Sequence, residues 1–143
     1  MLLREIEFKN ILSFGPDGSA LEMKALNVLI GPNGSGKSNL IEAIALLRSA
    51  PRELTIPVRE GGGIHDWLWK NGGDTPVATI TAVLDYPSGT MPLRHSLSFT
   101  EVAQRFQVTD ERIENIWAQP GHEKPYFYFC REGARFMINV AAT

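Results

Sequence analysis

The glycine-rich segment from Gly31 to Ser38 contains the residues whose types and spacing most clearly suggest chemistry. It reads Gly-Pro-Asn-Gly-Ser-Gly-Lys-Ser and satisfies the spacing G-x-x-x-x-G-K-[ST]. Glycines let the backbone turn successive N–H groups toward a phosphate. A lysine then supplies positive charge to the β- and γ-phosphates, and a hydroxyl can bind Mg²⁺. The segment therefore predicts a phosphate loop that binds ATP with Mg²⁺.

Each residue of this segment has a predicted role. Lys37 is the catalytic candidate, because its charge would stabilise the transferring γ-phosphoryl group. Ser38 is the predicted Mg²⁺ ligand. The alternative interpretation is a glycine turn that joins two elements and binds nothing. The predicted nucleotide-binding residues are Gly31, Pro32, Asn33, Gly34, Ser35, Gly36, Lys37, Ser38 and Asn39.

The segments on either side must position this loop. Residues 25–30 form a short, nearly continuous apolar run, which is typical of a strand covered on both faces. After Lys37, apolar residues recur at helical spacing, and this predicts a helix from about Gly36 to about Arg48. The helix N-terminus would direct unpaired N–H groups at a phosphate. The order is strand, phosphate loop, helix.

The rest of the chain is predicted to be rich in β-strands. Residues 4–8 alternate apolar and charged side chains, which indicates a half-buried strand before the loop. Residues 51–76 carry two prolines and two glycine clusters and are predicted to be mostly loop, with a short helical turn at 64–69. The predicted fold class is α/β with an antiparallel β-subdomain. Its later strands are expected at 77–86, 93–99, 106–108, 126–130 and 135–140.

Composition sets limits on the class of protein. The 143 residues suit one domain, and the single cysteine rules out an internal disulfide. No apolar run has the length of a membrane span, and the N-terminus does not resemble a signal peptide, so we expect a cytoplasmic protein without a membrane partner. The net charge of −2 gives no support for DNA as a partner.

Three segments resemble a known family. Gly31 to Ile44 is similar to the Walker A segment of the RecF/SMC branch of ABC-type ATPases, which includes OLD-like and anti-phage AAA-family ATPases. Phe8 to Phe14 resembles the Phe-Lys-x-x-x-Ser-Phe segment that ends the first strand in this branch. Trp67 to Gly73, followed by Val77 to Asp85, is similar to the stretch before its antiparallel β-subdomain.

The resemblance implies that residues 1–143 are the N-terminal lobe of such an ATPase. The lobe would divide into a phosphate-loop core at 1–50, a loop at 51–76 and a β-rich part at 77–143. The family's Q-loop glutamine, Leu-Ser-x-Gly signature and Walker B strand are not recognisable, so the resemblance places them on a missing C-terminal lobe. It also implies a homodimer through ATP-bound heads. Lys9 to Phe14 would border the adenine or the ribose.

Weaker candidates for the later motifs have simpler interpretations. Asp85 follows an apolar segment, but Tyr86-Pro87 stands where a catalytic glutamate is needed, so a strand that leads into a turn is favoured. Asp110-Glu111 follows a segment too polar for a buried central strand. The glutamines that could serve a Q-loop are Gln104, Gln107 and Gln119, and none has a supporting motif.

Other conspicuous side chains are expected to pack. The aromatic run Tyr126 to Phe129 has no accompanying basic cluster, so strand packing is favoured over base stacking. Trp67 and Trp69 are expected to pack against the lobe. Cys130 is expected to be a small buried group and not a nucleophile.

Several functions remain open for the phosphate loop. An ATPase lobe that supports DNA repair, chromosome maintenance or phage defence is the principal hypothesis. A nucleotide-binding interaction module that never hydrolyses is the alternative. A small-molecule kinase is disfavoured because no arginine-rich lid is present, and a GTPase is disfavoured because no N-K-x-D motif is present.

Overall fold

The computed structural model describes residues 2–71 and 73–140. The predicted single lobe over 1–143 also includes Met1, Gly72 and residues 141–143, which lie outside the described part. The helices are α1 (Lys37–Ser49), α2 (Thr55–Glu60) and α3 (Ile64–Trp67). The strands are β1 (Leu3–Lys9), β2 (Ser19–Glu22), β3 (Ala78–Leu84), β4 (Leu93–Val102), β5 (Arg105–Asn115), β6 (Phe127–Glu132) and β7 (Arg135–Ile138).

The described strands form one sheet in the order β2-β1-β3-β4-β5-β6-β7, and each neighbouring pair is antiparallel. The strand at the start of the chain lies between β2 and β3, so it is joined to the later β-rich part by hydrogen bonds. The prediction of an antiparallel β-subdomain is confirmed. The helices between β2 and β3 make the structure mixed α/β.

One face of the sheet is apolar and carries the helices. Alternation along β1, β3 and β4 places Phe8, Ile80 and Leu97 opposite one another across three strands, and all three are fully buried. The buried side of α1 joins the same core cluster through Leu40, Ala43, Leu46 and Leu47. The amphipathic spacing that predicted α1 therefore turns its apolar stripe toward the sheet.

The segment between α1 and β3 is more ordered than the sequence indicated. It includes α2, which the prediction missed because the prolines and the shortness of the segment favoured a loop. Pro57 lies in the first turn of α2, where a missing N–H costs no helical hydrogen bond. In α3, the buried Trp67 donates its indole Nε1–H to the Val58 carbonyl oxygen at 3.2 Å. The predicted packing of Trp67 is confirmed.

The predicted buried strand at 25–30 is wrong for the described structure. These residues are not in a strand and pair with no strand of the described part. Leu26, Val28, Leu29 and Ile30 are 81%, 74%, 44% and 90% exposed. A strand of this composition needs neighbours on both edges and cover on both faces. The sheet packs against the buried side of α1 and does not extend to residues 25–30. The described residues therefore supply neither the neighbouring strands nor the cover on both faces.

The remaining conspicuous side chains pack as expected. Tyr126 and Tyr128 meet edge to face with ring centroids 5.0 Å apart, and Tyr86 meets Tyr128 at 5.9 Å. Cys130 is buried in β6, and this burial raises the pKa of its thiol. A raised pKa lowers the thiolate fraction at neutral pH, which is the opposite of what a nucleophile needs.

The helices of the described residues are all too short or too polar to cross a membrane.

Two isoleucines test the one-sided packing of α1. Ile80→Ala is expected to lower the free energy of unfolding by about 2–5 kcal/mol, because Ile80 is fully buried in the core. Ile41→Ala on α1 removes the same atoms from a side chain that is 59% exposed, and the change is expected to stay within about 0.5 kcal/mol. Urea unfolding followed by circular dichroism measures both. Equal losses would show that Ile41 is covered in solution.

Candidate functional site

The phosphate loop joins the exposed run to α1 through two left-handed glycines. Gly34 has φ +83° and Gly36 has φ +93°. This conformation is costly for residues with a Cβ, which explains why glycine stands at both positions. Gly36 is the N-cap of α1, and its carbonyl accepts the hydrogen bond from the Leu40 amide at 3.0 Å. The amides before Leu40 belong to the first turn, where a helix has no carbonyl of its own to pair them.

Lys37 folds back over the loop. Its Nζ donates to the Gly31 carbonyl oxygen, to the Pro32 carbonyl oxygen at 2.8 Å and to Ser35 Oγ at 3.2 Å. The ammonium group thus occupies part of the hollow that the loop would offer to a phosphate. These contacts lie at the surface, and phosphate oxygens can replace the carbonyl oxygens as acceptors. A nucleotide phosphate could therefore take over the hydrogen bonds that Lys37 makes to the loop.

A cavity of about 350 Å³ lies over the loop and the start of α1. Ser38 is exposed on the first turn, so its hydroxyl can reach a ligand there. One hydroxyl suits Mg²⁺, which keeps several waters and uses few protein ligands beside substrate phosphates. The donor set therefore fits a magnesium-bound triphosphate. The cavity is lined by Asn33, Gly34, Gly36, Lys37, Ser38 and Asn39.

Three larger cavities lie elsewhere among the described residues, two of about 430 Å³ and one of about 370 Å³ beside Arg4 and Asp85. Of the two largest, one lies between the end of α1 and the β6–β7 hairpin, and the second lies beside the connection between β5 and β6. None of the three is lined by a residue of the phosphate loop. We place the candidate site at the smaller cavity because the glycine conformations, the lysine and the helix N-terminus meet there.

The segment from Lys9 to Phe14 approaches the site through one residue. Asn39 Nδ2 donates a hydrogen bond to Ser13 Oγ at 2.9 Å. Phe14 stacks on Phe8 at 4.8 Å between ring centroids, and Lys9 lies 3.3 Å from the Glu7 carboxylate. The sequence pointed to the segment as a whole and did not identify the contact between Ser13 and Asn39.

The structure gives the acidic candidates other partners. Asp85 ends a strand whose two neighbours are antiparallel and binds Arg4, whereas a Walker B strand runs parallel to its neighbour. Glu111 Oε1 lies 2.9 Å from Nε2 of the buried His95. Asp110 binds Arg112, and this hydrogen bond raises the pKa of the guanidinium. The favoured interpretation of both acidic positions as structural is supported.

The glutamine candidates do not line the phosphate-loop cavity. Gln104 lies in the tight turn between β4 and β5 with φ +63°. Gln107 lies in β5 and lines the cavity beside the end of α1, and Gln119 lines the cavity beside the connection between β5 and β6. A residue in the role of the Q-loop glutamine is therefore not found among the described residues.

Comparison with known proteins agrees with the phosphate loop. Residues 26–134 match the family model described as "AAA domain, putative AbiEii toxin, Type IV TA system". The chain is 32% identical over 98 residues to the DNA replication and repair protein RecF of Limosilactobacillus fermentum, which covers 68% of the chain and 24% of RecF. It is 39% identical over 70 residues to the DNA double-strand break repair Rad50 ATPase of Sulfurisphaera tokodaii, which covers 44% of the chain and 8% of Rad50.

A solved structure supports the fold. It is described as "Structural biochemistry of ATP-driven dimerization and DNA stimulated activation of SMC ATPases", and it matches with a TM-score of 0.50 and 17% identity over 74% of the chain and 72% of the solved chain. The chain spans about a quarter of the RecF relative's length. The family match over residues 26–134 includes the phosphate loop and the strands β3 to β6, and the expected resemblance to the RecF/SMC branch is confirmed. The chain belongs to the AAA domain family and is similar to the ATP-binding ATPases of the RecF, Smc and Rad50 type.

Proposed function

We propose that this chain is the ATP-binding lobe of a RecF/SMC-like ATPase. The observation that carries the proposal is the phosphate loop, where two left-handed glycines lead into the unpaired first turn of α1 beside Lys37. Main-chain N–H groups of that turn would bind phosphate oxygens together with the positive end of the helix dipole.

The side chains of the loop have distinct proposed roles. Lys37 would leave the carbonyl oxygens of Gly31 and Pro32 and bind the β- and γ-phosphates, where its charge stabilises the transferring phosphoryl group. Ser38 would hold Mg²⁺, which neutralises phosphate charge when bound. Asn39, one position further along α1, would contact the phosphates from the edge of the cavity.

The lining of the cavity lacks a carboxylate that could accept the proton of the attacking water. Its lining residues include no aspartate or glutamate. Hydrolysis would therefore need a carboxylate from another part of the enzyme, and we place it on a completing C-terminal lobe. The same observation favours the alternative function, a nucleotide-binding module that never hydrolyses, if no such lobe joins the chain.

The apolar run before the loop supports a completing lobe. Leu26, Val28 and Ile30 expose most of their side chains, and Ile41 of α1 is exposed as well. Several exposed apolar residues within one short segment favour an interaction site. A sheet that pairs with residues 26–30 would cover the run and bring its own strand ends beside the phosphate loop.

Dimerisation of two ATP-bound heads completes the proposal. The SMC structure that shares this fold is described as showing ATP-driven dimerisation and DNA-stimulated activation. In the proposed dimer, each phosphate loop would meet a signature motif from the partner's completing lobe. The net charge of −2 gives DNA no special attraction to this lobe, so DNA is not part of the proposal.

Lys37→Ala is expected to weaken binding of Mg-ATP by about 10- to 100-fold, because a hydrogen-bonded charge at the phosphates is lost. Isothermal titration calorimetry of the folded chain measures the dissociation constant. Lys124→Ala is the matched control, since it removes an exposed lysine from the connection between β5 and β6 and should bind like the wild type. Equal dissociation constants for Mg-ATP in the Lys37 and Lys124 variants would show that the phosphate loop is not the nucleotide site.

Val28→Asp tests the completing lobe. The chain alone is expected to hydrolyse ATP at a rate close to background, and a protein that joins it to the completing lobe is expected to turn over. In that protein, Val28→Asp should abolish turnover, because a buried unpaired carboxylate opposes pairing of residues 26–30. Val102→Asp places the same charge at a valine that is also exposed, at the end of β4, and should leave turnover unchanged.

Two results would contradict this account. Rapid turnover by the chain alone would show that the carboxylate is already present. Unchanged turnover in the joined Val28→Asp protein would show that the run is not a pairing surface. ATP binding without any turnover in the joined wild-type protein would favour the non-hydrolysing module.

A further inference from the structure

We infer that Ser13 is a positioning residue of the nucleotide site, which holds Asn39 and the first turn of α1 in place. The inference rests on the proposed nucleotide-binding function. It starts from one contact across 26 residues of sequence, in which the Asn39 side-chain amide donates to Ser13 Oγ at 2.9 Å.

Ser13 also lies against the backbone of the loop. A Cβ built on Gly36 would lie 3.3 Å from Ser13 Oγ, which is the one close contact it would make outside its own helix backbone and its chain neighbours among the described residues. The hydroxyl therefore lies beside the left-handed N-cap of α1 as well as the third residue of the helix. These are the two points between which the amides of Lys37 and Ser38 are held.

The segment that carries Ser13 is fixed by backbone hydrogen bonds. Within the segment, Ile11 and Phe14 exchange two of them, at 3.0 and 2.8 Å. The end of α3 adds two more: the Leu12 amide donates to the Trp67 carbonyl oxygen at 2.7 Å, and the Trp69 amide donates to the Asn10 carbonyl oxygen at 3.0 Å. The backbone on both sides of Ser13 is thus fixed by hydrogen bonds, although the Ser13 side chain is exposed.

The backbone of this segment holds a strained residue. Leu12, directly before Ser13, has φ +50°, a region that a leucine rarely adopts. Strain of this kind persists only where the surroundings fix it, and it is concentrated at functional sites. Here the strained residue turns the chain so that Ser13 reaches α1.

The chemistry of the contact leaves both partners able to serve a ligand. Ser13 accepts one hydrogen bond from Asn39 and keeps its own proton to donate. Asn39 uses one amide proton and keeps the other, together with its carbonyl oxygen. Holding Asn39 in one rotamer before the nucleotide arrives lowers the entropy cost of binding.

The test is a double-mutant cycle on the folded chain. Ser13→Ala and Asn39→Ala are each expected to weaken Mg-ATP binding by about 3- to 10-fold, the effect of about one hydrogen bond. The double variant should be no weaker than the stronger single variant, because both changes remove the same contact. Ser13→Thr keeps the hydroxyl and should restore most of the affinity. Ser19→Ala, which changes an exposed serine in β2, is the control and should bind like the wild type.

A second readout separates positioning from a general loss of structure. In the ligand-free chain, Ser13→Ala is expected to shift the Asn39 side-chain amide resonance while the free energy of unfolding stays within about 0.5 kcal/mol of the wild type. Additive losses of affinity in the double variant would overturn this inference and leave the proposed function standing. An Asn39 side-chain resonance that does not shift in Ser13→Ala would do the same. Absence of Mg-ATP binding by the wild type would overturn the proposed function, and with it this inference.

Discussion

The packing of α1 against one face of the sheet is the constraint on which the rest of the molecule depends. Leu40, Ala43, Leu46 and Leu47 join the buried side chains of β1, β3 and β4 in one cluster. The cluster fixes the axis of the helix, and the axis fixes the direction of the unpaired amides in its first turn. Main-chain N–H groups point where the backbone points, so a phosphate site made of them depends on how the helix is held. The packing of the core therefore determines the position of the ligand.

The same packing leaves a second surface without cover. Because the sheet occupies one side of α1, the opposite side and the apolar run before the phosphate loop face outward, with Ile30 exposed almost completely. The loop therefore lies between the packed core and an exposed apolar surface. Its donors come from the start of α1, and in the proposed function the carboxylate needed for hydrolysis would come from a lobe that covers the exposed surface. Binding and turnover would then be separable, and the alternative of a non-hydrolysing module would differ only in lacking that lobe.

The elements predicted correctly from the sequence are those that local residue patterns determine. The spacing of Leu40, Ile41, Ile44 and Leu47 predicted α1, although Ile41 is 59% exposed. Strict alternation at Leu93, His95, Leu97 and Phe99 predicted the buried face of β4. The predictions were wrong or incomplete where the structure of a segment depends on residues distant in the chain. The run at 25–30 has the composition of a central strand, but composition cannot supply the neighbouring strands. β5 continues beyond the predicted strand at 106–108 through Asp110 and Glu111, where Arg112 of the same strand pairs with Asp110 and His95 of β4 pairs with Glu111. The role of Ser13 was equally hidden, since its partner lies on another element.

The most direct test of the central claim is an amide-resolved titration of the chain with Mg-ATP by ¹H–¹⁵N nuclear magnetic resonance. The account predicts that the amides of residues 33–39 shift with Mg-ATP and remain unmoved by adenosine, because the main-chain donors respond to phosphate. Shifts that appear instead around one of the larger cavities, or shifts at residues 33–39 that adenosine produces equally, would contradict it.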